Sequence, residues 1–160
     1  MQFNLFLSDV KKCGREIISL ANNKSAWMCI NVSDKALFTF AKDYKGIKDV
    51  LADHGLASLG DAYINFAYSL ALSSRKGEPT GAKVKGIVLA EAFKRAGLRD
   101  YLPSRINRHK MADAAEALIV YAWLHGFVTL EECVGVLAKA ESLGEGLSQL
   151  LMGIKGKIRF

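Results

Sequence analysis

Residues 107–124, NRHKMADAAEALIVYAWL, constrain the fold more than any other stretch of this chain. The segment is predicted to be one helix that is apolar nearly all the way round, and a helix of that kind is buried. Asp113 and Glu116 interrupt the apolar pattern and share one helix face, because they are three residues apart. Burying an unpaired carboxylate costs free energy, so the pair predicts cationic partners, protonation or a bound metal ion.

A second helix with the same feature is predicted for residues 58–72, SLGDAYINFAYSLAL, where Asp61 is the only charged residue. Two carboxylates in a DxxE pattern on one helix face can supply two oxygen ligands to one hard cation such as Mg²⁺. We therefore predict that three carboxylates form the centre of the protein, namely Asp61, Asp113 and Glu116.

The position of each carboxylate can also be explained by a purely structural role. Asp61 follows Ser58 by three residues, as in a capping box, where it would only accept a hydrogen bond from the Ser58 backbone N–H. The DxxE pair would equally suit a solvated helix edge with cations beside it, here Arg105, Arg108 or Lys110. These alternatives stay open at the level of the sequence.

The composition favours helices over sheets. Hydrophobic residues make up 51% of the 160, and only two prolines occur. We predict an all-α bundle of about seven or eight helices that forms a single domain. Its predicted parts are an N-terminal helical extension, a core, and a short helix with a basic tail: residues 1–45, 46–145 and 146–160.

Apolar periodicity and capping residues set the predicted helix boundaries. Ser33 and Ser58 are predicted N-caps, Gly55 is a predicted helix end, and Thr129 with Glu132 is a predicted capping box. The predicted helices cover residues 3–22, 33–43, 46–54, 58–75, 82–96, about 105–124, 129–143 and 146–152.

Several sequence features predict a cytoplasmic protein. No apolar run reaches the roughly 20 residues that a membrane span needs, so no membrane association is expected. The first residues, MQFNLFLSDVKK, carry charges too early for a secretory signal. Three widely spaced cysteines outside CxxC pairs suit a reducing compartment better than disulfides or zinc: Cys13, Cys29 and Cys133.

The net charge of +6 favours an anionic partner. A basic cluster lies about one turn before the acidic pair and is the candidate contact for phosphates; its alternative role is that of a solvated helix start. The cluster consists of Arg105, Arg108, His109 and Lys110.

Taken together, the two acidic helices resemble the two signature helices of the ribonuclease III family. The first family signature ends in Leu-Gly-Asp-Ala/Ser, and residues 59–62 here are LGDA. The second is Ala-Asp-x-x-Glu-Ala-Leu, and residues 112–118 are ADAAEAL, with Lys110 before them as in many members. Residues 86–97, GIVLAEAFKRAG, resemble the intervening helix, so the resemblance covers residues 51–126.

The resemblance implies an all-α endonuclease domain that forms a homodimer and hydrolyses phosphodiester bonds in double-stranded or structured RNA. It also implies that Asp61, Asp113 and Glu116 are catalytic and bind Mg²⁺, with Mn²⁺ as an alternative ion. The products would carry a 5′-phosphate and a 3′-hydroxyl. A basic groove would follow the shape of the RNA backbone rather than its sequence.

The chain departs from the family pattern ahead of Asp61. Family members carry glutamates four and seven residues before this Asp, where this chain has Ala57 and His54. Asp53, His54 and Glu78 are therefore the candidate auxiliary residues. The chain also ends before the position of the usual double-stranded-RNA-binding domain, as in compact members. The alternative function is a catalytically impaired RNA-binding or ribonucleoprotein module.

Overall fold

A computed structural model describes residues 38–158, and this part of the chain contains six α-helices and no strand. The all-α prediction is therefore confirmed, with slightly fewer helices than the predicted seven or eight. The predicted helix at residues 3–22 lies outside the described residues. The six helices are α1 (Ile47–Leu51), α2 (His54–Lys76), α3 (Gly86–Arg95), α4 (Arg108–Leu124), α5 (Leu130–Lys139) and α6 (Leu143–Lys157).

α4 forms the centre of the bundle. Its residues from Met111 to Ala122 are buried with the exception of Asp113, which is half-buried. α2 and α3 make the most extensive contacts with α4, and α1 and α6 pack against it as well. The prediction that this helix is buried on nearly all sides is confirmed, because its small alanines allow neighbouring helices to approach closely.

α2 begins four residues earlier than predicted, at His54 rather than Ser58. Asp53 is its N-cap: one carboxylate oxygen accepts the Leu56 backbone N–H at 2.9 Å, and the other accepts the Tyr44 hydroxyl at 2.7 Å. Gly55 consequently lies inside α2 instead of ending the preceding helix. The predicted Ser58 capping box is wrong for the same reason, since Ser58 and Asp61 lie in the body of α2.

The predicted helix at residues 33–43 is wrong in its described part. Residues 38–45 form turns and extended chain, while residues 33–37 lie outside the described residues. Phe38 packs against the Trp123 ring of α4 with a centroid distance of 5.6 Å, whereas Phe40 is 57% exposed. The segment follows the aromatic surface of the core and does not extend the bundle.

α4 begins at Arg108, because the Asn107 side chain caps it by accepting the Lys110 backbone N–H at 2.9 Å. The predicted start near Arg105 is three residues too early. The preceding loop is stabilised by Arg99, which lies in a short 3₁₀ turn (Arg99–Tyr101). Its guanidinium donates to three loop carbonyls, those of Leu102, Pro103 and Ser104.

The Thr129–Glu132 capping box at the start of α5 is confirmed, with both hydrogen bonds present. α5 ends at Lys139 rather than near residue 143, because Ala140 turns to extended backbone and Ser142 caps α6. α6 is longer than the predicted 146–152. Its buried residues continue to Ile154, so most of the predicted basic tail is helical.

No helix among residues 38–158 has both the length and the apolar character needed to cross a bilayer. The predicted division into an N-terminal extension, a core and a C-terminal tail stays a prediction. Cys133 is a buried free thiol, whereas Cys13 and Cys29 lie outside the described residues.

Candidate active site

α2 and α4 cross at Gly60 with no space for a side chain between them. A Cβ added at Gly60 would overlap the Glu116 backbone carbonyl and would lie 2.9 Å from the Glu116 Cβ. Asp61 follows Gly60 directly on α2, and Asp113 lies one turn before Glu116 on α4. The crossing therefore places the three carboxylates that the sequence singled out on neighbouring turns of α2 and α4.

Glu116 is the most deeply buried of the three, at 9% exposure, while Asp61 and Asp113 are half-buried. Burial, together with the negative charges of Asp61 and Asp113, raises the pKa of Glu116 to about 7, although Lys83 acts in the opposite direction. Like charges raise the pKa of a carboxyl only when they lie close to it. The three carboxylates thus form one electrostatic cluster.

The solvated-edge alternative for Asp113 and Glu116 finds no support in the ion pairs. The described part of the chain contains three of them, and their cations are Lys83, Lys94 and Lys157. The cluster's ion pair joins the Lys83 ammonium to an Asp61 carboxylate oxygen at 4.0 Å. The cations predicted to neutralise the DxxE pair, Arg105, Arg108 and Lys110, are absent from these pairs.

One face of α2 carries polar side chains at every fourth residue: Asp61, Asn65, Ser69 and Ser73. The oxygens of the last three accept backbone N–H groups from alternate residues of the connection to α3, namely Val84 (2.7 Å), Ala82 (3.0 Å) and Thr80 (2.8 Å). The Asn65 amide also donates to an Asp61 oxygen at 3.0 Å.

This polar ladder, the four side chains just named, has two consequences. It holds residues 80–84 extended along α2, which explains why α3 begins at Gly86 instead of residue 82. It also orients Asp61 and brings Lys83 to the carboxylate cluster. Neither consequence could be predicted from the sequence of the connection between α2 and α3, which is that of an ordinary loop.

A cavity of about 250 Å³ opens beside Asp113. Its lining includes Ala57 and His54, the two positions at which family members carry glutamates, and also Asp53 and Lys110. Alanine presents no oxygen to this space. The cavity therefore lies where a further carboxylate would face Asp113.

The candidate auxiliary residues differ in their placement. Asp53 lines the cavity, but its carboxylate serves as the α2 cap, and these hydrogen bonds hold its pKa below the usual value. His54 is exposed at the cavity. Glu78 is exposed beyond the other end of α2, and the separation of 15 positions between Asp61 and Lys76 already spans about 22 Å of helix. Glu78 does not join the cluster.

The basic cluster at the start of α4 is exposed throughout. Arg108 and His109 line a cavity of about 480 Å³ together with Gly86, at which α3 begins. Lys110 faces the smaller cavity beside Asp113. These side chains and that of Arg105 are accessible to anions from the solvent. They lie at the N-terminal end of α4, just before Asp113 and Glu116.

The donor chemistry of the cluster fits a divalent cation, although the ligands are not preformed. Within residues 38–158, no group of three His, Cys, Asp or Glu side chains is arranged to hold a metal ion. Burial, and then the negative charges of Asp61 and Asp113, raise the pKa of Glu116, and a hard cation would relieve the repulsion among the three carboxylates. The side chains of Asp61, Asp113 and Glu116 would have to change rotamer for their oxygens to meet at one ion.

Sequence reasoning missed the roles of Gly60, Asn65 and Lys83. The polar ladder could have been predicted from the sequence, because polar residues at every fourth position are unusual on a helix as apolar as α2. The roles of Gly60 and Lys83 depend on α4 and on the path of the connection, which no local pattern specifies.

A family model matches the part of the chain that contains the three carboxylates. The family model described as Ribonuclease III matches residues 54–151, which is more than half of the chain. No curated protein matches the chain. The matched segment starts with α2, extends into α6, and contains all three carboxylates together with Lys83. The chain therefore belongs to the ribonuclease III family.

Proposed function

We propose that this protein is a metal-dependent endoribonuclease that hydrolyses phosphodiester bonds in double-stranded or structured RNA. The observation that carries the proposal is the electrostatic cluster of Asp61, Asp113 and Glu116 at the α2–α4 crossing of a ribonuclease III family domain. Burial and the neighbouring negative charges raise the pKa of Glu116 to about 7, and strongly shifted pKa values cluster at functional sites.

The three carboxylates would hold Mg²⁺ or Mn²⁺. When bound, such an ion supplies positive charge to the phosphoryl oxygens and lowers the pKa of a water ligand. The exposed basic cluster of α4 would bind flanking phosphates and orient the RNA: Arg105, Arg108, His109 and Lys110. In the hydrolysis, a water oxygen bonds to phosphorus and the bond to the 3′-oxygen breaks. That oxygen takes up a proton, leaving a 3′-hydroxyl and a 5′-phosphate.

The proposal is tested by incubating the protein with end-labelled double-stranded RNA in Mg²⁺, in Mn²⁺ and in EDTA. We expect cleavage with either ion, none in EDTA, and 5′-phosphate ends on the products. Single-stranded RNA of the same sequence is the substrate control. The Asp113→Ala protein, purified in parallel, controls for contaminating nucleases and should be inactive while remaining folded. Absence of cleavage with both ions would exclude the enzyme.

A second candidate function is an RNA-binding or ribonucleoprotein module of the same family without activity. Ala57 favours it, because the cavity beside Asp113 lacks the carboxylate that family members place there. This module would bind double-stranded RNA with an affinity that falls steeply with salt, and would not cut it under any metal condition. Loss of RNA binding at low salt would exclude it.

Restoring the missing carboxylate should strengthen metal binding. The Ala57→Glu side chain would enter the cavity that Asp113 borders, and we expect the affinity for Mn²⁺ to rise by about tenfold through the added ligand. Titration of the free protein, followed by Mn²⁺ electron paramagnetic resonance, measures the change. Ala57→Gln, which has similar volume without the charge, is the control. Equal affinities for the two variants would contradict the prediction.

Dimerisation and cytoplasmic location stay predictions. One face of α2 leaves three large apolar side chains exposed, Leu59, Phe66 and Leu70, and a second copy of the chain is the partner that the family implies. Light scattering of the purified protein measures the mass of the particle. A mass equal to that of one chain at all concentrations would exclude the homodimer.

A further inference from the structure

A groove of about 670 Å³ lies between α5 and α6 and has no part in the mechanism above. None of its lining residues belongs to the carboxylate cluster or to the basic cluster of α4. The two helices are antiparallel, because only residues 140–142 join them and the ammonium of Lys157, the last residue of α6, lies 3.5 Å from a carboxylate oxygen of Glu132 in the first turn of α5. A groove between antiparallel helices has the shape that a third helix fills.

The groove has an apolar floor and a glycine in each wall. The floor includes four residues that are at most 8% exposed: Val128, Ala140, Leu150 and Ile154. Gly135 of α5 and Gly153 of α6 also line the groove, and a Cβ at either would meet no atom within 4 Å. Glycine inside a helix costs stability relative to alanine, so the packing of the described residues does not require these two glycines. A helix lying in the groove would use them, because its backbone could approach both walls closely there.

The rim of the groove is acidic, although the whole chain has a net charge of +6. Four glutamates and two lysines line it, namely Glu131, Glu132, Glu141, Glu145, Lys139 and Lys157. Lys157 pairs with Glu132. The other three glutamates are in none of the ion pairs formed within residues 38–158, and Lys139 offsets only one of them. The rim therefore stays negative, which suits a cationic partner and repels RNA.

We propose that the α5–α6 groove binds a basic, amphipathic α-helix of another protein. The lysines or arginines of that helix pair with Glu131, Glu141 and Glu145, and its apolar face covers the floor. α5 has 10 residues and is about 15 Å long, so about three turns of the bound helix contact it. The groove is a protein-docking site on a surface separate from the candidate active site, and the inference does not depend on RNA cleavage.

The probe is a synthetic helical peptide of about 15 residues, with leucine and alanine on one face and about six lysines on the other. The same peptide with glutamates in place of the lysines is the control. Amide chemical shifts of the ¹⁵N-labelled full-length protein are followed by NMR during titration with each peptide. We expect the basic peptide to bind at least about tenfold more tightly than the acidic one. The Gly135 and Gly153 resonances should shift, and those of Gly77 and Gly81, at the far end of α2 and in the connection to α3, should not.

Two substitutions with matched controls test the shape and the charge of the groove. Gly153→Gln places a side chain in the groove and should weaken binding of the basic peptide by about tenfold. Gly156→Gln, in the same helix with equally open space but outside the lining, should stay within about twofold of the wild type. Glu141→Lys should weaken binding by about fivefold, whereas Glu78→Lys, the same charge change in an exposed loop, should not.

Four results would overturn the proposal. The first is equal affinity for the basic and the acidic peptide, and the second is a set of shifts that lies outside α5 and α6. Shifts of Gly135 and Gly153 that depend on protein concentration without peptide would show that a second copy of the chain occupies the groove. Destabilisation of the free protein by Gly153→Gln would show that another part of the same chain does so. Failure of the enzyme proposal changes none of these expectations, because the groove contains no residue of the carboxylate cluster.

Discussion

Replacing Glu116 by glutamine is expected to abolish RNA cleavage and, at the same time, to stabilise the metal-free protein. Cleavage should fall by about 1000-fold or more, because the carboxylate that faces Asp61 and Asp113 is lost from the metal-binding set. Stability should rise, because glutamine cannot carry the buried charge that repels both aspartates. A substitution that improves folding while removing activity would identify Glu116 as a functional residue.

The pH dependence of stability shows whether the buried charge of Glu116 stabilises or destabilises the metal-free protein. The pKa of Glu116 is raised from an ordinary 4.5 to about 7 in the folded protein, so the folded state holds the proton more tightly than the unfolded state. The contribution of Glu116 to stability is therefore most favourable below pH 4.5, falls as the pH rises through this interval, and is least favourable above pH 7. The full loss amounts to about 3 kcal/mol.

Urea denaturation in EDTA at a series of pH values measures this slope. The wild type should lose stability between about pH 4.5 and 7, and the Glu116→Gln protein should lose less. Glu141→Gln, in the exposed turn between α5 and α6, is the control and should follow the wild type. Adding Mg²⁺ should stabilise the wild type at pH 7.5 but not Glu116→Gln. Parallel curves for all three proteins would contradict the prediction.

Gly60→Ala is expected to be the most destabilising conservative substitution in the described part of the chain. The added methyl group would overlap the backbone carbonyl of Glu116, and backbone cannot move aside as the end of a side chain can. Since α2 and α4 share the most extensive helix contact, their separation would loosen the core and part Asp61 from Glu116. We expect a loss of about 3 kcal/mol of unfolding free energy, or failure to fold.

Gly153→Ala is the matched control. Gly153 lies inside α6, and a Cβ there would meet no atom within 4 Å. Alanine should therefore stabilise the protein by about 0.5–1 kcal/mol through its higher helix propensity. Thermal and urea denaturation compare the two variants. The same small stabilisation at both positions would show that the helices are not in contact at Gly60.

Local sequence patterns were sufficient for much of the fold. The all-round apolar character of residues 107–124 predicted a buried helix, and the Thr129–Glu132 pattern predicted where α5 begins. Both signals lie within a few residues of the feature they specify. The predicted boundaries of α2 and α6 were wrong. Asp53 and Ser142 compete with nearby residues as N-caps, and which residue caps the helix depends on which turns pack against the core.

The sequence by itself determined which residues are the candidate site: Asp61, Asp113 and Glu116 stood out because each is a charge in an apolar helix, a conflict that burial makes costly. Only the tertiary structure decided that these charges meet. Gly60 lets α2 touch the backbone of α4, and the polar ladder carries Lys83 to the same place. Hydrophobic periodicity specifies which face of a helix is buried, whereas the crossing point of two helices depends on the shapes of both surfaces.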